Sequence, residues 1–324
     1  MKRFMVFVLL ASCVAAAYGQ VEFRKVNSQG LDIYYRVFGE GHPLLIIGGG
    51  PGDNSDRYLS LCELLAKDVQ CILVDQRGTG KSMPKLLDAS TINVALSLDD
   101  FEAVRRSLGL NEWSVLGFSY GGFMASLYAN FFPDSITSLV LLDSLGLNTD
   151  AFLYFFDNLM SRLCAPDKEQ MKSWSDPGRV AQDGHHALVE RIRAMMPAYF
   201  FDKEKSLLVS GVMKDSDFNF EMGDWIWKDV KKRGLDLAKM PPAFRAQVLI
   251  LQGRQDPLGE SIPQALARYY PDARLLFVEK AGHYSWVEQP EKVLSAIREF
   301  LLGAPLYRDG CEGRSFSMTS ARTQ

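Results

Sequence analysis

Three side chains in the sequence have the chemical types that a nucleophilic triad requires: Ser119, Asp256 and His283. A serine hydroxyl is a weak nucleophile, so it needs a histidine that accepts its proton and a carboxylate that orients the histidine. Ser119 lies in the stretch Gly-Phe-Ser-Tyr-Gly. Glycines two positions before and after a serine are typical of a sharp turn in which larger residues would collide with their neighbours. The pattern predicts acyl transfer from an ester or amide.

Each of these residues also has a purely structural interpretation. Ser119 could cap a helix, Asp256 could belong to a turn before Pro257, and His283 could be a hydrogen-bonded residue of the core. Only one histidine follows a late apolar run through a glycine, namely His283; the others are His42, His185 and His186. Because serine, acid and histidine also occur in the order expected of a triad, we interpret them as one constellation.

An oxyanion hole is expected beside the serine. One donor should be the backbone N–H of Tyr120, which follows the nucleophile directly. The other should come from the run of three glycines at 48–50. Pro51 has no N–H, so we predict Gly50 as the donor, with Gly49 as the alternative. The glycine run could instead form a simple tight turn.

The elements that position these residues are short apolar runs, each followed by a turn. Continuous runs of this kind predict strands of a parallel sheet that is covered on both faces. Helical patterns alternate with them, which indicates an α/β fold with a mostly parallel, doubly wound sheet. In such sheets ligands bind outside the carboxyl ends of the strands. The predicted buried strands are 44–47, 71–74, 113–116, 139–142, 248–251 and 275–278.

The alternation is interrupted once. Residues 145–241 lack a clear strand, are rich in aromatic residues and have helical patterns, so we predict an inserted helical lid, or cap. The α/β core then comprises 20–144 and 242–303. Residues 304–324 are polar and without periodicity, which predicts a disordered tail.

The N-terminus has two cations, a short apolar run and then small residues. This pattern predicts a signal peptide over 1–19 and an exported protein, periplasmic or secreted, without a stable membrane span. The stretch before Cys13 is also similar to a bacterial lipobox, so lipid anchoring at Cys13 is the alternative. The other cysteines are Cys62, Cys71, Cys164 and Cys311, and the sequence leaves their pairing open.

Composition and motifs limit the classes of ligand and partner that we expect. A net charge of −3 on 324 residues gives no reason to expect nucleic acid. We expect no metal, because the cysteines and histidines lack zinc-site spacing, and no cofactor, because dinucleotide and phosphate-loop motifs are absent from the sequence. The expected partner is a small molecule or a short peptide that serves as substrate.

Several motifs resemble one known family. Gly-Gly-Gly-Pro-Gly, Asp-Gln-Arg-Gly-Thr-Gly, Gly-Phe-Ser-Tyr-Gly-Gly, Gly-Arg-Gln-Asp and Ala-Gly-His-Tyr-Ser-Trp are similar to motifs of the α/β-hydrolase superfamily, nearest its proline iminopeptidase-like branch. The resemblance implies the α/β-hydrolase fold with a cap. It also implies catalytic roles for Ser119, Asp256 and His283. The motif at Asp75 to Gly78, which includes Arg77, would support the active-site loops.

The resemblance implies an aminopeptidase that releases N-terminal residues through an acyl-enzyme. Such enzymes hold the substrate amine with glutamates in or near the lid. For that role we predict Glu204 as the first choice and Glu221 as the second. The chain departs from the family at Gly48, where a histidine is usual. An esterase or lactonase acting on small apolar substrates is the first alternative, and a ligand-binding protein with slow turnover is the second.

Overall fold

A computed structural model describes residues 23–303. The predicted signal peptide (1–19), the predicted tail (304–324), Cys13 and Cys311 lie outside the described residues.

The centre of the molecule is an eight-stranded sheet with the spatial order β1-β2-β4-β3-β5-β6-β7-β8. The first two strands pair antiparallel, and β2 also runs antiparallel to β4, whereas every pair from β4 to β8 is parallel. The predicted α/β class and mostly parallel sheet are therefore confirmed. The strands are β1 (Arg24–Ser28), β2 (Leu31–Phe38), β3 (Pro43–Ile47), β4 (Gln70–Val74), β5 (Trp113–Phe118), β6 (Ile136–Leu142), β7 (Val248–Gly253) and β8 (Ala273–Val278).

Helices cover both faces of the sheet. In the described residues they are α1 (Leu59–Leu65), α2 (Val94–Ser107), α3 (Tyr120–Phe131), α4 (Phe152–Arg162), α5 (Ala165–Ser173), α6 (Pro177–Gln182), α7 (Gly184–Met195), α8 (Leu207–Ser210), α9 (Phe220–Arg233), α10 (Ser261–Tyr269), α11 (Ser285–Glu288) and α12 (Pro290–Leu302). Helices α2, α3 and α9 contribute to the core on one face, and α1 and α12 to the core on the other. No helix within residues 23–303 is long and apolar enough to cross a bilayer.

The central strands carry the core. All six residues of β5 and all six of β7 are buried, so side chains pack above and below the sheet. Burial on both faces is what a parallel sheet between two helical layers requires, and it explains why these strands are continuous apolar runs in the sequence.

Residues 143–247, all of which the structure describes, connect β6 to β7 through helices and contain no strand, apart from an isolated bridge between Phe218 and Asp53. Helix α9 packs three buried side chains, Met222, Ile226 and Val230, onto the core. Helices α4, α5 and α7 enclose a separate apolar cluster around Leu159. The division into core and cap at 145–241 stays a prediction.

The three described cysteines carry free thiols. Cys62 and Cys71 are buried, and Cys164 is exposed. Within residues 23–303 the fold therefore depends on packing and polar contacts rather than on a cross-link.

A buried ion pair braces the turn after β4. The Arg77 guanidinium donates through Nε and Nη2 to the two oxygens of Asp100 at 2.7 and 2.6 Å, and through Nη1 to the carbonyl of Thr91 at 2.8 Å. Side-chain exposure is 3% for Arg77 and 2% for Asp100. The pair ties this turn to α2, whereas the support of the active-site loops that the resemblance implies for the motif stays a prediction.

Removing one partner of this pair should strongly destabilise the fold. We expect Asp100→Ala to lower the free energy of unfolding by about 3–5 kcal/mol, because the guanidinium would stay buried without its counter-charge. The matched control is Glu299→Ala, which breaks an exposed ion pair with Arg274 and should cost no more than about 1 kcal/mol. Urea titrations of the three proteins measure both values. Equal losses in the two variants would contradict the argument.

Candidate active site

Ser119 occupies the turn between β5 and α3 in a conformation that few residues adopt, with φ 54° and ψ −121°. A Cβ at Gly117 would overlap the carbonyl oxygen of Gly121, and a Cβ at Gly121 would overlap the carbonyl oxygens at the end of β3. The two glycines thus allow α3 to start directly against β3 and β5. The steric reason predicted from the sequence is confirmed.

Three predicted residues come together at the carboxyl ends of the strands. Asp256 follows β7, and His283 follows β8. His283 Nε2 lies 2.9 Å from Ser119 Oγ, and His283 Nδ1 lies 2.8 Å from Asp256 Oδ2. His283 and Asp256 are buried, with 4% and 5% of their surface exposed. Serine, histidine and aspartate therefore form a continuous hydrogen-bonded series.

The carboxylate sets the protonation of the imidazole. A carboxylate only accepts, so Nδ1 carries the hydrogen and Nε2 is free to accept the serine proton. Burial lowers the pKa of His283, but the charge and hydrogen bond of Asp256, with the charge of Asp143, outweigh it and raise this pKa above its usual 6.5. The imidazole is thus a stronger proton acceptor than a free histidine.

The glycine loop after β3 lies against Ser119. A Cβ placed on Gly49 would lie 2.9 Å from Ser119 Cβ, and Gly50 is among the residues that line the cavity at the serine. No protein acceptor for the Gly50 N–H occurs within residues 23–303. Tyr120, the other predicted donor, is the first residue of α3. Their role as oxyanion donors stays a prediction that this placement permits.

The cavity at Ser119 measures about 230 Å³. Most of the side chains around it are apolar or aromatic. They come from the core and from the segment between β6 and β7: Tyr58, Phe118, Ile192, Met196, Tyr199, Phe218, Phe220 and Tyr284. The predominantly apolar lining suits a small uncharged group.

One ion pair, Asp53 with Arg57, also lines this cavity. Asp53 Oδ2 accepts from Arg57 Nε at 3.0 Å and from the Tyr58 hydroxyl at 3.1 Å. Burial raises the pKa of Asp53 to about 6, although Arg57 opposes the shift. The guanidinium also lies over the Phe218 ring, 4.7 Å from its centroid. This pair was not predicted from the sequence, although an acid and an arginine four residues apart, directly after the glycine loop, could have indicated it.

The two glutamates predicted to bind an amine lie elsewhere. Glu204 and Glu221 are exposed, and neither lines the cavity at Ser119. In the short helix Lys203–Ser206 the buried residue is Ser206, and at the start of α9 it is Met222 that points into the core. Each glutamate thus lies on the exposed side of its helix, away from the serine cavity, and the structure does not support the predicted anchors.

A second buried acid, Asp143, connects the two loops that carry Asp256 and His283. It accepts from the Gly253 N–H at 2.8 Å, and from the N–H and hydroxyl of Ser285 at 3.1 and 2.6 Å. Burial and the charge of Asp256 raise the pKa of Asp143 to about 8. Asp143 was not predicted from the sequence either, although it directly follows an apolar run. Asp256 also lies shortly after such a run.

The loop of His283 is also bonded to the segment between β6 and β7. The His283 N–H donates to the carbonyl of Tyr199 at 2.7 Å. The buried carboxylate of Glu288 accepts from the N–H groups of Gly282 at 2.6 Å and Asp202 at 2.8 Å. Core and inserted helices therefore position the histidine together.

The family departure at Gly48 has a steric cause. The ring of Tyr58 fills the place where a side chain at Gly48 would lie. The Tyr58 hydroxyl donates to Asp53, which also donates its own backbone N–H to Gly50. Tyr58 thus braces the glycine loop from the position that a histidine side chain would take.

Comparison with known families gives one match that spans most of the chain. Residues 42–290 match the family model described as alpha/beta hydrolase fold. The AB hydrolase superfamily protein YclE of Bacillus subtilis is 26% identical over 287 residues, which cover 85% of this chain and 97% of that protein. A proline iminopeptidase of Heyndrickxia coagulans is 23% identical over 290 residues, 87% of this chain and 95% of that protein.

Solved structures share the fold. An esterase of Exiguobacterium antarcticum superposes with a TM-score of 0.64 at 18% identity, covering 86% of this chain and 99% of that one. A proline iminopeptidase of Mycobacterium smegmatis gives a TM-score of 0.61 at 21% identity, covering 86% and 97%. At these identities the likeness is one of fold, so the reaction must be argued from the site itself.

The contact between Gly48 and Tyr58 can be tested by a double-mutant cycle. We expect Gly48→Ala to lower the free energy of unfolding by about 1–3 kcal/mol, because the added methyl group displaces the Tyr58 ring. In a Tyr58→Ala background the same change should cost much less, since the space is then empty. Urea unfolding of the four proteins measures the coupling. Strictly additive losses would show that the two residues do not compete for this space.

Proposed function

This chain belongs to the α/β hydrolase fold family, and we propose that it is a serine hydrolase that acts through Ser119, His283 and Asp256. The observation that carries the proposal is the hydrogen-bonded series from Ser119 Oγ through both ring nitrogens of His283 to Asp256, at 2.9 and 2.8 Å. A serine cap on an ordinary helix would not need a positive φ, nor a buried histidine aligned on its hydroxyl.

In the proposed reaction His283 Nε2 takes the Ser119 proton as Oγ attacks the carbonyl carbon of the substrate. The negative charge that develops on the carbonyl oxygen is stabilised by the N–H groups of Tyr120 and Gly50. The imidazolium, held by Asp256, then protonates the leaving group, which departs and leaves an acyl-enzyme. Water then loses a proton to His283 as its oxygen attacks the ester carbon, and the imidazolium returns that proton to Ser119 Oγ as the bond to the acyl group breaks and the acid leaves.

We propose an uncharged ester or lactone as the substrate class. The cavity at Ser119 is lined mainly by apolar and aromatic side chains. Its single carboxylate, Asp53, is already paired with Arg57 and hydrogen-bonded to Tyr58. An ammonium entering this cavity would lose its hydration and meet a guanidinium beside that acid, which disfavours a cationic substrate.

An aminopeptidase is the second candidate, favoured by one observation. Asp53 uses Oδ2 for both of its hydrogen bonds, and no protein donor to Oδ1 occurs within residues 23–303. Oδ1 could therefore accept a bond from a substrate amine. Several relatives bear the name proline iminopeptidase. In this version Asp53 would replace the lid glutamates.

Modification of the serine tests the proposed nucleophile. We expect a fluorophosphonate probe to label the protein, and Ser119→Ala to abolish labelling and lower kcat for p-nitrophenyl butyrate by about four to six orders of magnitude. His283→Ala should cause a similar loss, because the residues act as a unit. Ser175→Ala, at an exposed serine in the turn after α5, is the control and should behave as wild type. Labelling that persists in Ser119→Ala would refute the assignment.

A blocked and a free amine distinguish the two substrate classes. We expect wild type to cleave N-acetyl-prolyl p-nitroanilide at least as fast as the free-amine compound, because the cavity offers the amine no unpaired acid. An aminopeptidase would instead prefer the free amine by about tenfold or more, the worth of one charged hydrogen bond. Asp53→Asn would then erase the preference, whereas Glu204→Gln, at an exposed acid, would keep it. Steady-state kcat/KM values for the two anilides and for p-nitrophenyl butyrate decide between them.

A further inference from the structure

A second and larger groove adjoins the cavity at Ser119. It measures about 990 Å³ and lies between the segment 56–64 of the core and two others, 208–217 and 284–290. Many of its lining side chains are apolar: Leu59, Leu64, Leu208, Val209, Val212, Met213, Trp286, Val287 and Pro290. We call it the apolar groove.

The groove and the serine cavity share one wall. Arg57, Tyr58 and Tyr284 line both. Asp53 fixes the first two through hydrogen bonds, but the contact from Arg57 Nη2 to the Tyr284 hydroxyl is 3.4 Å long, well beyond an ordinary hydrogen bond. A few side chains therefore separate the serine cavity from the apolar groove. The weakest contact among them is the one between Arg57 and Tyr284.

The sizes of the two spaces suggest one composite site. Ligand sites of drug-sized molecules measure about 300–1,000 Å³. At 230 Å³ the serine cavity holds little more than the reacting group, whereas the groove alone is near the upper end of that range. A substrate with a chain attached to the scissile ester needs a space of this kind next to the serine.

The rim of the groove indicates what it binds. Leu208 and Val212 are exposed by 62% and 71%, although large apolar side chains grouped at a groove are usually covered by a ligand or partner. The groove carries little net charge: Asp56 pairs with Arg36 and Arg57 with Asp53, which leaves Glu63 and Asp217 beside Lys214. A groove that is largely apolar and carries little net charge suits an uncharged chain.

We propose that the apolar groove binds the aliphatic chain of an extended ester whose carbonyl carbon lies at Ser119. The proposal rests on the serine hydrolase function above and adds the substrate class: esters with medium or long alkyl chains. The chain passes between Arg57 and Tyr284, and it belongs either to the acyl group or to the alcohol. In both cases the groove binds the same kind of group, an apolar alkyl chain.

Two series of esters test the groove. The first lengthens the acyl chain, from p-nitrophenyl acetate to the decanoate, and the second lengthens the alcohol, from ethyl to decyl acetate. We expect kcat/KM to rise about fourfold per methylene in one series, beyond butyrate for the acyl chain or beyond ethyl for the alcohol, the effect of moving a CH₂ from water into an apolar site. The series that rises identifies the side of the ester that occupies the groove.

Charged substitutions at the rim connect the effect to the groove. Val212→Glu and Leu208→Glu should flatten the dependence on chain length and leave the rate on butyrate or ethyl acetate unchanged. Leu153→Glu is the matched control, since Leu153 is an apolar residue of α4, 82% exposed and not part of the groove, and should keep the wild-type slope. A slope that is unchanged in the groove variants, or wild-type rates that fall with chain length in both series, would overturn the proposal.

Binding without turnover separates this proposal from the proposed reaction. In Ser119→Ala, calorimetric titration with decyl acetate and p-nitrophenyl decanoate should give affinities at least tenfold higher than with the short esters, and Val212→Glu in the same background should remove the difference. If no ester is hydrolysed by wild type but this difference is found, the reaction is wrong and the groove is supported. If short esters are hydrolysed and chain length does not affect binding, the groove proposal is wrong and the reaction stands.

Discussion

The site depends on the strained turn at Ser119, where the chain passes from β5 to α3 with a positive φ. A residue in such a conformation costs of the order of 1–3 kcal/mol and persists only where its surroundings fix it. Here the Ser119 N–H donates to the carbonyl of Leu142, and the Ser119 carbonyl accepts from the N–H groups of Gly122 and Leu145. The end of β6 therefore holds the turn from one side, while close contact with β3 holds it from the other. The sheet order is what makes both contacts available.

Burial gives the neighbouring charges their effect. The imidazole of His283 lies among aromatic rings, with ring centroids of Phe118 and Tyr199 at 5.0 and 5.5 Å. In such surroundings the field of Asp256 is weakly screened, so a single carboxylate can outweigh the desolvation that would otherwise make the histidine a poor base. Asp143 connects the two loops through its hydrogen bonds to Gly253 and Ser285. The aromatic residues around the site thus act on its chemistry through the local dielectric as well as through shape.

The sequence predicts the parts of the site that follow from local pattern. Ser119 directly follows β5, and Asp256 and His283 lie in the loops that follow β7 and β8, so all three are placed where the carboxyl ends of parallel strands meet. The edge strand β1 was not predicted, because it is short and most of its residues are polar and exposed. Glu204 could not be oriented from its segment alone, since its direction depends on how a short helix packs. Tertiary packing decides such directions, and for the same reason the pair of Asp53 and Arg57 emerges only from the fold.

The hydrogen bond from the His283 N–H to the Tyr199 carbonyl has a consequence for how such enzymes can be rebuilt. Glu288 accepts three further bonds, from the N–H of Gly282 on the core side and from those of Phe201 and Asp202 on the other. In a chimera, the inserted helices would come from a relative and the core from this protein. The N–H of His283 would then lose its hydrogen bond unless the backbone of the relative places a carbonyl where that of Tyr199 lies. Shuffling of the helical insertion is therefore constrained at the short segment 199–202, in addition to the contacts that α9 makes with the core.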